Sequence, residues 1–384
     1  MRDAGTDARV LRRMKDAARH VALYRRLWGA AASDFDPERV PRLDKAALRA
    51  CPAEDRIDDR RLGRKLRIEL SSGSSGEPMA VYTDRAAHAA RRWAFLRALW
   101  ACGYRPGQPF LLLTSRREAR SLAMARWHYA SIADDTETLA RRVTGLAPRV
   151  LYGPLSTLEL LAEWFAARPQ QRPALSLVVS TAEQLTPGRR ARLERGLGAP
   201  AADFYGLTEF GLVAYRPPGS AAFVPARRSL VLEFLALPGD PAGERLIVTD
   251  LAERTSPLIR YETGDFVRRD AGAAGRPIIE FSGRSMDCLV QPDRSLVSPY
   301  RIDVALERIP GLRGYEVVQR PDCSIDVTLE TAAADADRVG GLVRQTLASV
   351  LGAALPVRIE AGTIRRGPPG AKFRPIRSHV ARGT

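Results

Sequence analysis

Apolar residues return along this chain with two different periods, and the places where the period changes mark its elements. Val10, Met14, Ala17, Val21, Tyr24 and Leu27 recur at helical spacing, which predicts an amphipathic helix over 7–29. Asp44, following Val40, Pro41, Arg42 and Leu43, suits the N-cap of a short helix. Residues 65–70 alternate as a strand does, 71–78 interrupt, and 79–82 resume, so the pattern predicts a hairpin. Its Ser/Gly-rich loop has hydroxyls and backbone N–H groups that can wrap a polyphosphate. The plainer alternative, a flexible Ser/Gly linker, sits poorly between two structured flanks. A helical pattern over 86–101 precedes buried strands at 109–114, 150–154 and 175–180, which alternate with helices at 156–167 and 187–196. Such β–α alternation argues for a parallel sheet with covering helices. After Gly219 the texture becomes β-rich, with strands at 230–237 and 245–250. Turn character from Arg284 to Pro292 is followed by a helix (299–309), two strands (315–319, 324–329), a helix (336–351) and a strand (357–360). That is enough for an independent α+β unit of about a hundred residues.

Composition changes this picture little. Of 384 residues, 45% are hydrophobic and 27% charged, as in ordinary globular proteins, and the length allows one large domain plus a smaller one. No apolar run is long enough to span a bilayer, and the charged start Met1-Arg2-Asp3 lacks a signal-peptide core, so a cytoplasmic protein without a membrane partner is expected. Cys51, Cys102, Cys288 and Cys323 are too scattered for zinc or a redox dithiol. The net charge of +16 raises nucleic acid as a partner, but the basic residues are spread along the chain beside acids, so none is expected. Lysine occurs only at positions 15, 45, 65 and 372, which singles out Lys372 as a position where a compact point charge is needed. A surviving surface lysine is the alternative.

Candidate chemistry centres on Asp203-Phe204-Tyr205-Gly206-Leu207-Thr208-Glu209, read as a strand end breaking at a glycine. The segment offers a ring to stack on a base, a hydroxyl for a phosphate oxygen and a carboxylate for Mg²⁺, which a nucleotide site needs at a strand's C-terminal edge. Taken singly, Tyr205 could be an ordinary strand aromatic, Glu209 a helix-cap acid and Asp265 a turn residue after Gly264. Four segments in order outweigh those readings: 71–78, 205–209, 259–265 (Ile-Arg-Tyr-Glu-Thr-Gly-Asp), and Gly283-Arg284 followed by Asp287. Together they resemble the core motifs of adenylate-forming enzymes. The patterns at 21–26, 40–45 and 180–186 are similar to the phenylacetate–CoA ligase and coenzyme F390 synthetase branch, and the likeness runs over essentially the whole chain.

The resemblance implies an α/β fold. A large N-terminal domain (1–283) would combine parallel and mixed sheets, covering helices and a β-rich subdomain, and a small mobile α+β domain (284–384) would carry the catalytic lysine. It implies ATP-dependent conversion of a carboxylic acid, an aromatic one by branch, to an acyl-AMP, then transfer to an acceptor. Ser71, Ser72, Gly73, Ser74, Ser75 and Gly76 would grip the phosphates, Tyr205 and Gly206 the adenine, and Thr208 the α-phosphate. Glu209 would hold Mg²⁺, Asp265 the ribose and Arg284 the ribose or phosphate, while Glu183 would shape the acyl pocket or support the metal. Lys372 would bridge the acyl carboxylate and the ribose-phosphate region. Tyr152, Gly153, Ala182, Phe204, Phe210 and Gly211 are the expected pocket walls. CoA, a carrier-protein thiol, an amine or a partner enzyme could accept the acyl group, and a homodimer is allowed. A binding homologue without turnover is the remaining alternative.

The chain departs from the family pattern in several places. Met286 replaces the acid or lysine two positions after the hinge arginine, and Gln291-Pro292-Asp293-Arg294-Ser295 replaces a glycine-rich turn that helps place a thiol acceptor. Ala371 separates the usual glycine–lysine pair, and Glu77 stands where many relatives have lysine. Adenylation is therefore better supported than thioester formation.

Overall fold

The computed structural model describes residues 4–28, 41–71, 79–115, 126–237, 240–275, 277–284, 287–352, 355–364 and 374–380. The helix expected over 7–29 is two helices, α1 (Ala4–His20) and α2 (Ala22–Trp28), broken at Val21. The break lets buried Tyr24 turn inward, where its hydroxyl donates to the Pro257 carbonyl (2.8 Å) and accepts from the Ile259 N–H (3.0 Å). The N-terminal helices thereby hold the chain leading into the 259–265 motif. Helix α3 (Lys45–Ala50) is capped by Asp44 as anticipated, its carboxylate accepting from the Ala47 N–H.

Strands β1 (Arg67–Leu70) and β2 (Ala80–Thr83) form the expected antiparallel hairpin, and α4 (Arg85–Ala101) follows. The central sheet is built from β3 (Phe110–Thr114), β4 (Trp127–Ser131), β5 (Val150–Pro154), β6 (Leu177–Thr181), β7 (Ala201–Leu207), β8 (Gly211–Arg216) and β9 (Val224–Pro225), in the order β4-β3-β5-β6-β7-β8-β9. Its first five strands are parallel and the last two pairings antiparallel. Helices α5 (Thr136–Leu146), α6 (Leu155–Ala166) and α7 (Pro187–Leu197) pack on it, burying Leu139, Val143, Leu158, Phe165 and Leu193. Helix α7 starts where its sequence asks: Thr186 is the N-cap, Pro187 occupies the first turn, and Gly198 closes the far end at φ +69.

A four-stranded antiparallel meander follows: β10 (Leu230–Leu237), β11 (Asp240–Asp250), β12 (Tyr261–Arg269) and β13 (Ile278–Arg284). After the short hairpin β14 (Leu289–Val290) and β15 (Leu296–Val297), α8 (Pro299–Leu306) leads into β16 (Gly314–Gln319), β17 (Ile325–Glu330), α9 (Ala336–Leu351), β18 (Val357–Ala361) and β19 (Ile376–Ser378). The last sheet, ordered β18-β17-β16-β19, shares a core with α8 and α9 that includes Ile302, Leu306, Val317, Val327, Val343 and Ile376.

One local reading needs correction. The strand does not end at Gly206, because β7 runs on to Leu207 through a register shift between Tyr205 and Gly206. A Cβ at position 206 would stand 3.3 Å from the Gly211 carbonyl oxygen, so glycine lets β7 and β8 pass closely at the irregularity.

Candidate functional site

The parallel strands β5, β6 and β7 end together, and a cleft of about 880 Å³ opens over that edge. Tyr152, Ala182, Glu183, Phe204, Tyr205, Gly206 and Asp265 line it, as do Glu280, Phe281, Gly283, Asp303 and Arg374 from later in the chain. Tyr205 and Asp265, sixty residues apart, meet here: the Tyr205 hydroxyl donates to Asp265 Oδ2 at 2.5 Å. The Tyr205 ring stacks on Phe281, with centroids 3.7 Å apart and planes at 20°. Asp265 is buried on β12, its N–H donates to Thr263 Oγ1, and its register partner on β13 is Arg284, whose side chain is outside the described set.

Behind this pair, the turn between β7 and β8 is fixed by two arginines, buried Arg91 and partly buried Arg227, that the sequence did not single out. Arg91 of α4 donates to the carbonyls of Thr208 (3.4 Å) and Glu209 (2.8 Å) and lies 3.5 Å from the Glu253 carboxylate. Arg227 donates to the Phe210 carbonyl and to Asp250, both at 2.9 Å. Burial lowers the Arg91 pKa and raises that of Glu253, so each needs the other's charge. The Glu209 carboxylate is buried, accepts from the Tyr261 hydroxyl at 3.2 Å and stands 3.9 Å from Lys45 Nζ. Lys45 reaches it because Leu43 pairs with the start of β12, exchanging hydrogen bonds with Arg260 and Glu262. The scarcity of lysine that marked Lys372 marks Lys45 equally.

Among the described residues no group of three or more His, Cys, Asp or Glu side chains could hold a metal ion. A single buried carboxylate such as Glu209 still fits Mg²⁺, which draws most of its ligands from phosphate oxygens and water.

The loop after β6 shapes one wall. Ala182 sits in the left-handed region at φ +70. Glu183 accepts from the Ser156 hydroxyl (2.7 Å) and N–H (3.3 Å) at the start of α6 and lies 3.6 Å from Arg189. Arg189 also grips Glu159 at 2.6 and 2.8 Å. Burial opposes its charge, but the Glu159 hydrogen bond and the charges of Glu159, Glu183 and Asp303 outweigh this and raise its pKa. Further carboxylates line the cleft. Burial pushes Asp203 and Asp303 up to about 6 and raises Glu280, against the pull of Arg216, Arg189 and neighbouring hydroxyls.

Not every expected wall residue faces the cleft. Phe210 is fully buried against Tyr261 in a different core, Gly211 adopts φ +71 beside Arg91, and neither lines the cleft. Gly153 is also absent from the lining, and its Cβ would stand 2.9 Å from Leu113 Cβ. Ser71 is buried at the base of its loop, where its hydroxyl accepts from the Met79 N–H. Residues 72–76 and 77, Met286, Ala371 and Lys372 lie outside the described residues. Arg374 and Asp287 form an ion pair at the cleft edge.

Two curated relatives share this architecture's sequence. The phenylacetate–coenzyme A ligase of Thermus thermophilus is 28% identical over 353 residues, 80% of this chain and 75% of that protein. The phenylacetate–coenzyme A ligase of Escherichia coli is 28% identical over 321 residues, 72% of this chain and 70% of that protein. The chain is similar in sequence to these phenylacetate–CoA ligases. No family model matches it. The chain also has the fold of a solved CoA ligase. A 2-hydroxyisobutyryl-CoA ligase in the postadenylation state, in complex with R3-HIB-AMP, superposes over 100% of this chain and 91% of its own, with a TM-score of 0.75 and 20% identity. The same ligase in its thioesterification state gives a TM-score of 0.57 over 97% of this chain and 90% of its own, at 21% identity. Among the described residues no helix is long and apolar enough to cross a membrane.

Proposed function

We propose that this chain is an ATP-dependent, AMP-forming ligase that activates a small carboxylic acid as its acyl-adenylate and passes the acyl group to an acceptor. The observation that carries the reading is the Tyr205–Asp265 hydrogen bond across the floor of a cleft at the ends of parallel strands, in a chain similar in sequence to the phenylacetate–CoA ligases. The chain would divide into an acid- and ATP-binding unit (1–283) and a smaller, mobile unit (284–384). The protein works in the cytoplasm, with a homodimer allowed.

In this reading, adenine lies against Tyr205, whose ring Phe281 backs and whose hydroxyl Asp265 fixes. Asp265 accepts from the ribose hydroxyls, and Arg284 acts beside it. Thr208 offers its hydroxyl to the α-phosphate from a turn that Arg91 and Arg227 hold rigid. Such positioning brings the acid's carboxylate into line with the phosphorus without a covalent enzyme intermediate. Ser71–Gly76 surrounds the leaving pyrophosphate. Glu209 would hold Mg²⁺, which supplies charge neutralisation at the polyphosphate, and Lys45 beside it adds a second positive charge. Lys372 bridges carboxylate and phosphate as charge shifts between them. Tyr152, Ala182 and Phe204, the two rings edge to face, present an apolar wall that suits an aryl acid.

CoA is the acceptor in the first reading. A second reading, transfer to an amine, a carrier-protein thiol or a partner enzyme, is favoured by the β14–β15 turn. There Arg294 holds φ +66, and Asp293 is tied to the Ser295 hydroxyl and N–H where a glycine-rich turn would admit a thiol. The test is mass spectrometry of AMP and acyl products from ATP, phenylacetate or benzoate, and CoA. AMP with acyl-CoA supports the first reading, and AMP that forms only with hydroxylamine as acceptor supports the second. No acid-dependent AMP from any acid would contradict both.

A further inference from the structure

Helix α8 belongs by its core to the C-terminal sheet, yet its end reaches across to α7 of the large unit. Glu307, directly after α8, is buried there with its side chain 7% exposed. The hydroxyl of Thr186, the fully buried N-cap of α7, donates to Glu307 Oε1, and Arg192 approaches the same oxygen at 3.5 Å. Thr186 Oγ1 also accepts from the Arg189 N–H, so a carboxylate of one unit completes the cap of a helix in the other. The fit is tight: a Cβ at Gly188 would lie 2.4 Å from Glu307 Oε2, so a side chain there would push the carboxylate from its present position. One turn earlier on α8, Asp303 accepts from Tyr315 at 2.5 Å and adds its charge to Arg189, which holds the Glu183 wall of the cleft.

We infer that Glu307 is a positioning residue: docked on the start of α7, it latches the C-terminal unit in its seat over the cleft, and it must release before acyl transfer. The part of this inference that concerns the half-reactions rests on the proposed function. The part that concerns the seat does not. A charge-assisted hydrogen bond at a helix N-terminus is a suitable latch because it is directional when made and replaceable by water when the surfaces part.

Position 188 supplies the test. Its Cβ would stand 3.5 Å from Glu307 Cβ, within the range a disulfide needs. In the full chain carrying Gly188→Cys and Glu307→Cys together, mild oxidation is expected to give the 188–307 cross-link, read by peptide mass spectrometry, and neither single variant should give it. With phenylacetate as the probe acid, the cross-linked protein keeps ATP–pyrophosphate exchange but loses transfer to CoA or hydroxylamine, and reduction restores transfer. Glu307→Ala is expected to slow adenylation about tenfold without slowing transfer, and Glu307→Gln, which can still accept from Thr186, recovers part of that loss. Hydrogen exchange in the first turn of α7 should rise in Glu307→Ala, whatever the acid. Absence of the cross-link, unchanged α7 exchange in Glu307→Ala, or a cross-linked protein that performs both half-reactions at the original rates would each overturn the latch. If the unmodified chain showed no exchange with any acid, the proposed function would fail, while cross-linking and hydrogen exchange would still decide the latch.

Discussion

The turn between β7 and β8 and the seam between α7 and α8 are built from the same materials, arginines and carboxylates under partial burial, but are wired differently. At the turn, Arg91 and Arg227 donate to backbone carbonyls and pair with Glu253 and Asp250, every partner lying within the large unit. At the seam, Glu307 sits on one unit and its partners Thr186 and Arg192 on the other, while Asp303, bonded to Tyr315 within its own unit, adds its charge to Arg189 across the seam. A buried charge that bonds its own scaffold fixes geometry. One that bonds across a seam can be exchanged for water when the seam opens. The first arrangement suits the residues proposed to hold the nucleotide, the second the unit proposed to release before acyl transfer.

Breaking the turn should have the largest effect. Arg91→Ala strips two carbonyls and the buried Glu253 of their cation, and is expected to cost about 3–5 kcal/mol in denaturant unfolding. Arg192→Ala, at the half-exposed rim of the seam, should cost less than about 1 kcal/mol in the same measurement.

Acidity separates the regions next. Burial raises Asp303 from 3.8 to about 6. Between those values the folded protein holds a proton that the unfolded chain has released, so this group's contribution to stability falls as pH rises through the window. Asp303→Asn should flatten that part of the stability profile, by an amount on the order of 1–3 kcal/mol between pH 4 and 7. Chemical denaturation across that range checks it, and an unchanged slope would contradict the assignment.

Within the cleft, Tyr205→Phe removes the hydroxyl from Asp265 while keeping the ring on Phe281. It should lower stability by about 1 kcal/mol and raise the KM for ATP several-fold. The smallest effect expected is a gain: Ala182→Gly relieves a left-handed backbone and should add about 0.5 kcal/mol, read as a higher denaturation midpoint.

Much of the fold was legible because its periods are clean. The apolar strands β3, β5 and β6 and the Pro187 start of α7 appear where the pattern put them. Strand β4 was not legible, since Trp127-His128-Tyr129 mixes polar and aromatic residues at a sheet edge, and β19 has only three residues. In the site, Tyr205 and Asp265 stood out as motif residues, and the sequence could not say that they bond to each other. Arg91 went unnoticed because Arg92 beside it looks the same in a chain rich in arginine. The available signal was its place on a helix face with Ala94 and Ala98, all three buried on α4. The Glu307 contact depends on two units meeting, and no local pattern encodes that.

The central claim is adenylation, and ATP–pyrophosphate exchange over a panel of aryl and short aliphatic acids tests it most directly, with Lys372→Ala alongside. The account predicts exchange that depends on one class of acid and is lost in Lys372→Ala. Exchange that ignores the acid, or a protein that does not bind ATP at all, would contradict it.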